Sequence, residues 1–191
     1  MHSDLSPVEH AIKTADGRRL VYYTLGDSPR LVVCEAGLGM SALYWVPVMQ
    51  QLAKHCRVVA YDRAGIGSSS PDQNRRDLTR LASDLGEIVS SQTYEELVLV
   101  GHSWGAPVVR TYVKHNRSSV QNLMGMVLVD PIVEQLLPHF KPLPLALQRS
   151  LFVPLARLKL LARVLKPTVR GLPDDVMKKR GKWTKCVAFL A

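Results

Sequence analysis

Short apolar runs alternate with stretches of helical spacing along the first 130 residues. Runs without polar alternation predict strands buried on both faces, at 31–34, 57–61, 97–100 and 126–129. Apolar positions three and four apart predict helices between them, at about 46–54, 77–89 and 106–114. Two more strands, 11–14 and 20–25, flank Asp16-Gly17, a hairpin signal. This order predicts an α/β fold: a mostly parallel sheet with helices on both faces, preceded by an N-terminal hairpin.

The pattern changes after Pro131. Six prolines follow before residue 174, and apolar residues recur between them at 151, 155, 158, 162 and 165. Basic side chains lie mainly on the opposite side, so the spacing predicts a basic amphipathic helix at about 149–166. We therefore expect a core at 1–130 and, at 131–191, an incomplete helical cap with a short tail.

The net charge of +9 is unevenly distributed along the 191 residues. Residues 1–140 hold 13 Lys and Arg against 14 Asp and Glu, whereas residues 141–191 hold 12 against 2. The basic excess belongs to the last 51 residues and lacks interleaved aromatics, so no nucleic-acid partner is expected.

Three cysteines, Cys34, Cys56 and Cys186, are too few and too widely spaced for a disulfide framework or a zinc site. They suit a reducing compartment. The first residues show no basic start followed by an apolar core, and no apolar run is long enough to cross a bilayer. We expect a cytoplasmic location and neither a metal nor an organic cofactor.

Candidate chemistry lies at the end of the third buried strand, in Gly101-His102-Ser103-Trp104-Gly105. This G-x-S-x-G pattern between a strand and a helix predicts a sharp turn that exposes the Ser103 hydroxyl as a nucleophile. The alternative is a turn serine that caps the helix. His102 is predicted to be a structural turn residue, because its side chain points away from that of its neighbour.

An acyl-transfer nucleophile needs two N–H donors for the developing oxyanion. The N–H of Trp104 is one candidate, and the N–H of Leu38, in Gly37-Leu38-Gly39 after the first buried strand, is the other. The alternative for the second segment is a plain glycine turn.

These segments, together with Tyr61-Asp62-Arg63-Ala64-Gly65-Ile66-Gly67 and Val127-Leu128-Val129-Asp130-Pro131, resemble the cofactor-free serine hydrolases of the α/β-hydrolase fold over about residues 10–135. The resemblance implies hydrolysis of an ester or similar acyl bond in a small molecule through acyl-Ser103. Epoxide hydrolases and dehalogenases of this fold carry Asp at the position that Ser103 occupies in this sharp turn, the nucleophile elbow. Ser103 therefore argues against them. It also implies that Asp62 and Arg63 support the floor of the site structurally.

The family order of the triad is Ser, then an acid, then His. Asp130 is a candidate acid; otherwise the acid is absent from this chain. His139 follows no predicted strand and fits the base poorly, so the general base is not identified. We therefore expect a chain that lacks the last strands and the catalytic His, with weak or no turnover.

The sequence also admits two other interpretations. Gly37-Leu38-Gly39-Met40-Ser41-Ala42 with Asp62 fits a dinucleotide-binding fingerprint, but Pro47 would fall inside the required helix. A non-catalytic protein could instead lay its basic helix at 149–166 on an anionic membrane surface or a partner, whereas a cap helix would pack its leucine stripe over the site. Substrate identity and oligomeric state are not readable from the sequence.

Overall fold

A computed structural model describes residues 6–116, 120 and 122–132. Within them the chain forms six strands, β1 Val8–Lys13, β2 Arg19–Leu25, β3 Arg30–Glu35, β4 Arg57–Asp62, β5 Glu96–His102 and β6 Leu123–Val129. Three α-helices separate the later strands, α1 Val46–Leu52, α2 Leu78–Ser90 and α3 Gly105–Asn116. All six predicted strands and the three helices predicted between the later strands are present. A 3-10 turn at Ala42–Trp45, which the sequence patterns did not predict, precedes α1.

The strands form one sheet in the order β1-β2-β4-β3-β5-β6. Strands β3 to β6 are parallel, while β1 and β2 form an antiparallel hairpin that joins β4. Cys34 of β3 lies opposite Ala60 of β4 and Val100 of β5, so these strands end at about the same level. The loops that follow them therefore meet at one edge of the sheet, which is where parallel sheets place ligands.

Helices cover both faces of the sheet, as predicted. Val59 of β4 packs in the large cluster that α2 and α3 build on one face. The neighbouring Val58 and Ala60 are also fully buried, and they point to the opposite face because side chains alternate along a strand. That second face meets α1, which contacts β4. Strands buried on both sides explain the unbroken apolar runs in the sequence.

A charged cluster joins the hairpin to α2. The Arg18 guanidinium, close to the hairpin turn, forms a bidentate hydrogen-bonded pair with the Asp84 carboxylate of α2, at 2.6 and 3.0 Å. Arg18 also lies 2.9 Å from Asp16 and 3.4 Å from Asp72. Hydrogen bonding to Asp84 raises the pKa of Arg18 above its usual value, so the guanidinium stays charged.

Cys34 lies inside the sheet. Its backbone in β3 pairs with β4 and β5, and its side chain is fully buried on one face of the sheet. Burial raises the pKa of its thiol, with smaller contributions from Cys56 and Glu35. Cys56, in the loop after α1, is only partly buried. Cys34 is therefore a core residue, not a reactive surface thiol.

The last strand of the described sheet exposes apolar side chains. Met124 is 65% exposed and Val127 51%, and Met126 and Val129 are also exposed. These residues alternate between the two faces of β6, so both faces of this strand are open to solvent.

The compact unit that contains the sheet ends at Ile132. The predicted cap at 131–191, its basic helix at 149–166 and His139 lie outside the described residues, apart from Pro131 and Ile132. No helix within the described ranges is long and apolar enough to cross a membrane.

Candidate active site

Ser103 occupies a sharp turn between β5 and α3. Its φ of 51° lies in the left-handed region, which is uncommon for a residue with a side chain. The flanking glycines are required by close approaches: a Cβ on Gly101 would lie 2.8 Å from the Ala106 Cα, and one on Gly105 would lie 2.4 Å from the Glu35 carbonyl oxygen. The G-x-S-x-G pattern therefore reflects a strained turn pressed against β3.

The end of β6 holds the backbone of this turn. Ser103 donates its N–H to the Val129 carbonyl at 3.0 Å, and its own carbonyl accepts from the Ile132 N–H at 3.3 Å. Arg110 of α3 donates to the Ile132 carbonyl at 3.0 Å. The structure thus brings Asp130 to the elbow, with a φ of 44° and an exposed side chain. The Asp130 carboxylate makes no hydrogen bond within the described part of the chain, and its role as triad acid stays a prediction.

The two predicted oxyanion donors lie at the same edge. Leu38 follows β3, with its side chain 60% exposed, and Trp104 directly follows Ser103. Among residues 6–116, 120 and 122–132, no group accepts a hydrogen bond from the N–H of either Leu38 or Trp104. Unpaired backbone donors beside a nucleophile suit an incoming anionic oxygen. Their role is a prediction that this arrangement supports.

His102 points into the protein. Its ring stacks on Tyr44 at 5.9 Å and meets the edge of Trp45 at 6.3 Å. Its buried Nδ1 makes no hydrogen bond in the described structure. No histidine of the described ranges makes a hydrogen bond to the Ser103 hydroxyl, and His139 lies outside those ranges. The general base therefore remains unassigned.

A buried trio of one acidic, one basic and one phenolic side chain lies beneath the loop that carries Leu38. Glu35 ends β3, and its Oε1 is 3.2 Å from Nη1 of Arg63, which follows β4. The Tyr61 hydroxyl donates to Glu35 Oε2, and Arg63 Nη2 donates to the Gly37 carbonyl. Burial raises the pKa of Glu35 to about 7, while Arg63 and Tyr61 oppose the rise.

This trio is a feature that sequence analysis missed in part, since it treated Arg63 only as structural support and did not single out Glu35. A signal was available. Glu35 and Arg63 stand at the ends of two neighbouring parallel strands, and charged residues that meet at such ends can pair.

Asp62 connects two loops of the site. Its Oδ1 accepts from the Ser41 hydroxyl at 2.7 Å and from the Ala42 N–H at 2.8 Å, and its Oδ2 accepts from the Ser68 N–H at 3.2 Å. Burial raises its pKa, while these three hydrogen bonds oppose the rise. The Asp62 carboxylate is buried and both of its oxygens already accept hydrogen bonds from the chain, so it is not available to a ribose hydroxyl. The structure therefore disfavours dinucleotide binding. Asp62 fixes the start of the 3-10 turn.

The described residues contain no group of three or more His, Cys, Asp or Glu side chains arranged to hold a metal ion. What they assemble at the strand ends is a strained serine, two unpaired N–H donors and a buried ion pair behind one donor. This arrangement suits nucleophilic attack on a polarised carbonyl.

The chain is similar to several known proteins. It is 29% identical over 140 residues to the soluble epoxide hydrolase of Corynebacterium sp. (strain C12), a match that covers 73% of this chain and 48% of that protein. It is 35% identical over 98 residues to the "Putative carbamate hydrolase RutD" of Yersinia enterocolitica, covering 51% of this chain and 35% of that protein. The chain thus spans half or less of the length of these relatives.

Solved structures share the fold. A crystal structure of a hydrolase from Pseudomonas aeruginosa PA01 aligns with a TM-score of 0.67 at 22% identity, covering 95% of this chain and 70% of that chain. The family model described as the alpha/beta hydrolase fold matches residues 29–176, which include the whole candidate site. The chain belongs to the α/β-hydrolase fold family.

Proposed function

We propose that this chain carries the nucleophile and oxyanion hole of a serine hydrolase that acts on an ester or a similar acyl bond. The observation that carries the proposal is the backbone of Ser103, held at a φ of 51° in a turn that packs against the Glu35 and Ala36 carbonyls, just before Leu38. Strain of this kind persists where the surrounding structure requires it, which is typical of active sites.

In the proposed step the Ser103 Oγ attacks the acyl carbon and its proton passes to a base. The carbonyl oxygen becomes an oxyanion between the two N–H groups, and the alcohol or amine then leaves with a proton. Water attacks acyl-Ser103 in the same way and releases the acid. Oxyanion donors of this kind each contribute about 10²–10³ in rate.

The choice of an acyl bond over an epoxide follows from the nucleophile. A hydroxyl that opens an epoxide forms an ether, which water does not cleave under mild conditions, so turnover would stop after one event. A serine that attacks an acyl group forms an ester, which the same site hydrolyses. The relative named as an epoxide hydrolase supports the fold and a hydrolytic reaction, while Ser103 favours acyl substrates.

Turnover by this chain alone is expected to be slow. A serine hydroxyl is a weak nucleophile until a base removes its proton, and no described histidine bonds to Ser103. Sites that lack triad members retain about 10³-fold catalysis over water through the oxyanion hole and substrate binding. A non-catalytic role stays the alternative, with a membrane surface or another protein as partner of the basic segment at 149–166.

The test is covalent labelling with a fluorophosphonate, followed by intact mass and peptide mapping. The expected result is one adduct on Ser103, absent from Ser103→Ala. Hydrolysis of 4-nitrophenyl acetate and opening of styrene oxide are measured beside it, and only the acetate should be consumed beyond one equivalent.

A folded chain that shows no adduct after prolonged exposure would overturn the proposal. Circular dichroism and a cooperative melting transition establish folding in both proteins. Multiple turnover on styrene oxide would also contradict it, since a serine ether cannot be released.

A further inference from the structure

The Arg63 side chain reaches the loop Gly37-Leu38-Gly39, here called the oxyanion loop. The loop follows β3, whereas Arg63 itself follows β4. Its guanidinium is almost fully buried, at 5% exposure for the residue. One nitrogen faces Glu35 at 3.2 Å, and the other donates to the carbonyl of Gly37. The planar guanidinium can make both contacts at once because its donors form a fixed fork.

The carbonyl that Arg63 holds belongs to the same peptide unit as the N–H of Leu38. The described chain contains no cis peptide bond, and in a planar trans unit the C=O and the N–H point in opposite directions. Fixing the Gly37 carbonyl toward the buried guanidinium therefore fixes the direction of the Leu38 N–H, away from Arg63. The Met40 N–H adds a second contact to the same carbonyl at 3.2 Å.

Within the described residues, only Arg63 and the Met40 N–H bond to the carbonyl of this peptide. Gly37 contributes no side chain, Gly39 has a φ of 69°, and the Leu38 side chain is 60% exposed. The direction of the Gly37–Leu38 peptide is set by ψ of Gly37 and φ of Leu38, and it rotates easily because glycine allows many values of ψ. If the Gly37–Leu38 unit turned over, a carbonyl would face the site in place of a donor.

The buried charge itself also needs an explanation. Replacing a buried ion pair by apolar side chains is often neutral or stabilising, so the pair gives a weak account of stability. Its partners are supplied with care: Tyr61 donates to the second oxygen of Glu35. This hydrogen bond orients the Glu35 carboxylate, and its other oxygen, Oε1, attracts the Arg63 guanidinium by charge at 3.2 Å without a hydrogen bond.

We propose that Arg63, oriented by Glu35 and Tyr61, is a positioning residue that holds the Leu38 N–H in the direction needed for the oxyanion hole. The proposal rests on the proposed function, because it assigns a task to one donor of that site. Arg63 does not touch the substrate and acts only through the Gly37–Leu38 peptide.

The test compares Arg63→Met and Arg63→Lys with a matched control, Arg18→Met. Arg18 is also a mostly buried arginine paired with a buried carboxylate, Asp84, but it lies near the hairpin turn and α2. The ¹⁵N relaxation of the Leu38 amide is expected to show lower order in Arg63→Met and to stay unchanged in Arg18→Met. This readout does not depend on activity.

The second readout is the rate of fluorophosphonate labelling at Ser103. Arg63→Met should slow labelling about 10- to 100-fold, with little change in half-saturating reagent concentration. Arg63→Lys should recover part of the rate, because an ammonium keeps the charge but reaches one partner at a time. Arg18→Met should lose stability without losing labelling rate.

The possible failures are distinguishable. If the parent chain is never labelled, the proposed function fails, and the relaxation of the Leu38 amide still decides the role of Arg63. If Leu38 keeps its order and labelling keeps its rate in both Arg63 variants, the positioning role is wrong. If Arg63→Met does not fold, Arg63→Lys decides by the same two measurements.

Discussion

The elbow concentrates its constraints on single backbone atoms. Ser103 takes a φ of 51°, and Gly105 lets α3 begin against the carbonyl oxygens of Glu35 and Ala36. These carbonyls belong to the chain that enters the oxyanion loop. A side chain at Gly105 would therefore disturb both halves of the site at once.

We predict that Gly105→Ala lowers the free energy of unfolding by about 2–3 kcal/mol, because overpacking against backbone cannot be relieved by a rotamer change. The added Cβ would lie 2.4 Å from one carbonyl oxygen and 2.8 Å from the other. Urea denaturation measures the loss. Gly125→Ala in β6 is the control, since a Cβ there meets nothing within 4 Å. Equal stability of the two variants would contradict the close packing.

A second prediction concerns Glu35 and pH. Burial raises its pKa from 4.5 to about 7; Arg63 and the Tyr61 hydroxyl oppose the rise, Asp84 adds to it, and the Ala36 N–H opposes it. A raised carboxyl pKa means that the folded state holds this proton more tightly than the unfolded state. Its contribution to stability is therefore greatest below about pH 4.5 and is lost as the pH rises to about 7.

One pKa unit corresponds to about 1.4 kcal/mol, so this loss amounts to about 3 kcal/mol between the two limits. Glu35→Gln cannot titrate, and the difference in unfolding free energy between parent and variant should change by about this amount across the range. The subtraction removes the contribution of Asp62, whose pKa is also raised by burial. A difference that is flat with pH would exclude the raised pKa.

At the scale of elements, the hydrophobic pattern of the sequence was sufficient to predict the strands of the sheet and the three α-helices between them. The unbroken runs identified parallel strands because both faces of β3, β4 and β5 are buried. Pro47 marked the first turn of α1, where it costs no hydrogen bond. The 3-10 turn at Ala42–Trp45 was missed because its start depends on the Asp62 carboxylate, 20 residues away.

The features of the candidate site likewise fall into those that local sequence motifs predict and those that depend on long-range contacts. Ser103, Trp104 and Leu38 could be proposed from local motifs, because glycine spacing and strand ends are local signals. The contact of Arg63 with Gly37 could not, since it spans 26 residues and depends on the pairing of β3 with β4. Local patterns indicate the candidate reactive atoms, whereas the contact proposed to orient one of them is long-range.

The charged cluster between the hairpin and α2 gives an element-scale prediction. Asp84→Asn should lower the free energy of unfolding by about 2–3 kcal/mol. This is less than the usual 3–5 kcal/mol for breaking a buried pair, because Arg18 keeps Asp16 and Asp72 as neighbours. Thermal or urea denaturation measures the change.

Glu96→Gln is the matched control for this prediction. Its partner Arg30 is 2.9 Å away, but both side chains are well exposed, at 43% and 68%. Exposed pairs contribute about 0–1 kcal/mol, so the control should be nearly neutral. A loss as large as that of Asp84→Asn would mean that burial does not set the strength of these pairs.

At the scale of the whole molecule, β6 matters because it is an edge strand of the sheet that the described residues form. Met124 and Val127 are 65% and 51% exposed on opposite faces, and apolar strands at a sheet edge favour pairing between chains. We predict that the full chain self-associates through this strand and that Met124→Lys with Val127→Lys weakens the association at least about tenfold. Sedimentation velocity at several concentrations measures the change.

Val8→Lys tests the opposite edge. Val8 in β1 is 57% exposed, yet its strand carries charged side chains that already discourage pairing. This variant should associate like the parent chain. Weaker association in Val8→Lys, or none in the parent, would assign no special role to β6.

The buried position of Cys34 provides a way to measure how often the folded core opens locally. A thiol reagent dissolved in water reaches this sulfur only when the packing over its face of the sheet opens, because the side chain is fully buried and burial raises its pKa. The partly buried Cys56 reacts on a shorter timescale and serves as an internal reference. The alkylation rate of Cys34 then reports how often this packing opens. Any small molecule that binds the closed form will lower the alkylation rate of Cys34, so compounds can be screened for binding without knowledge of the reaction.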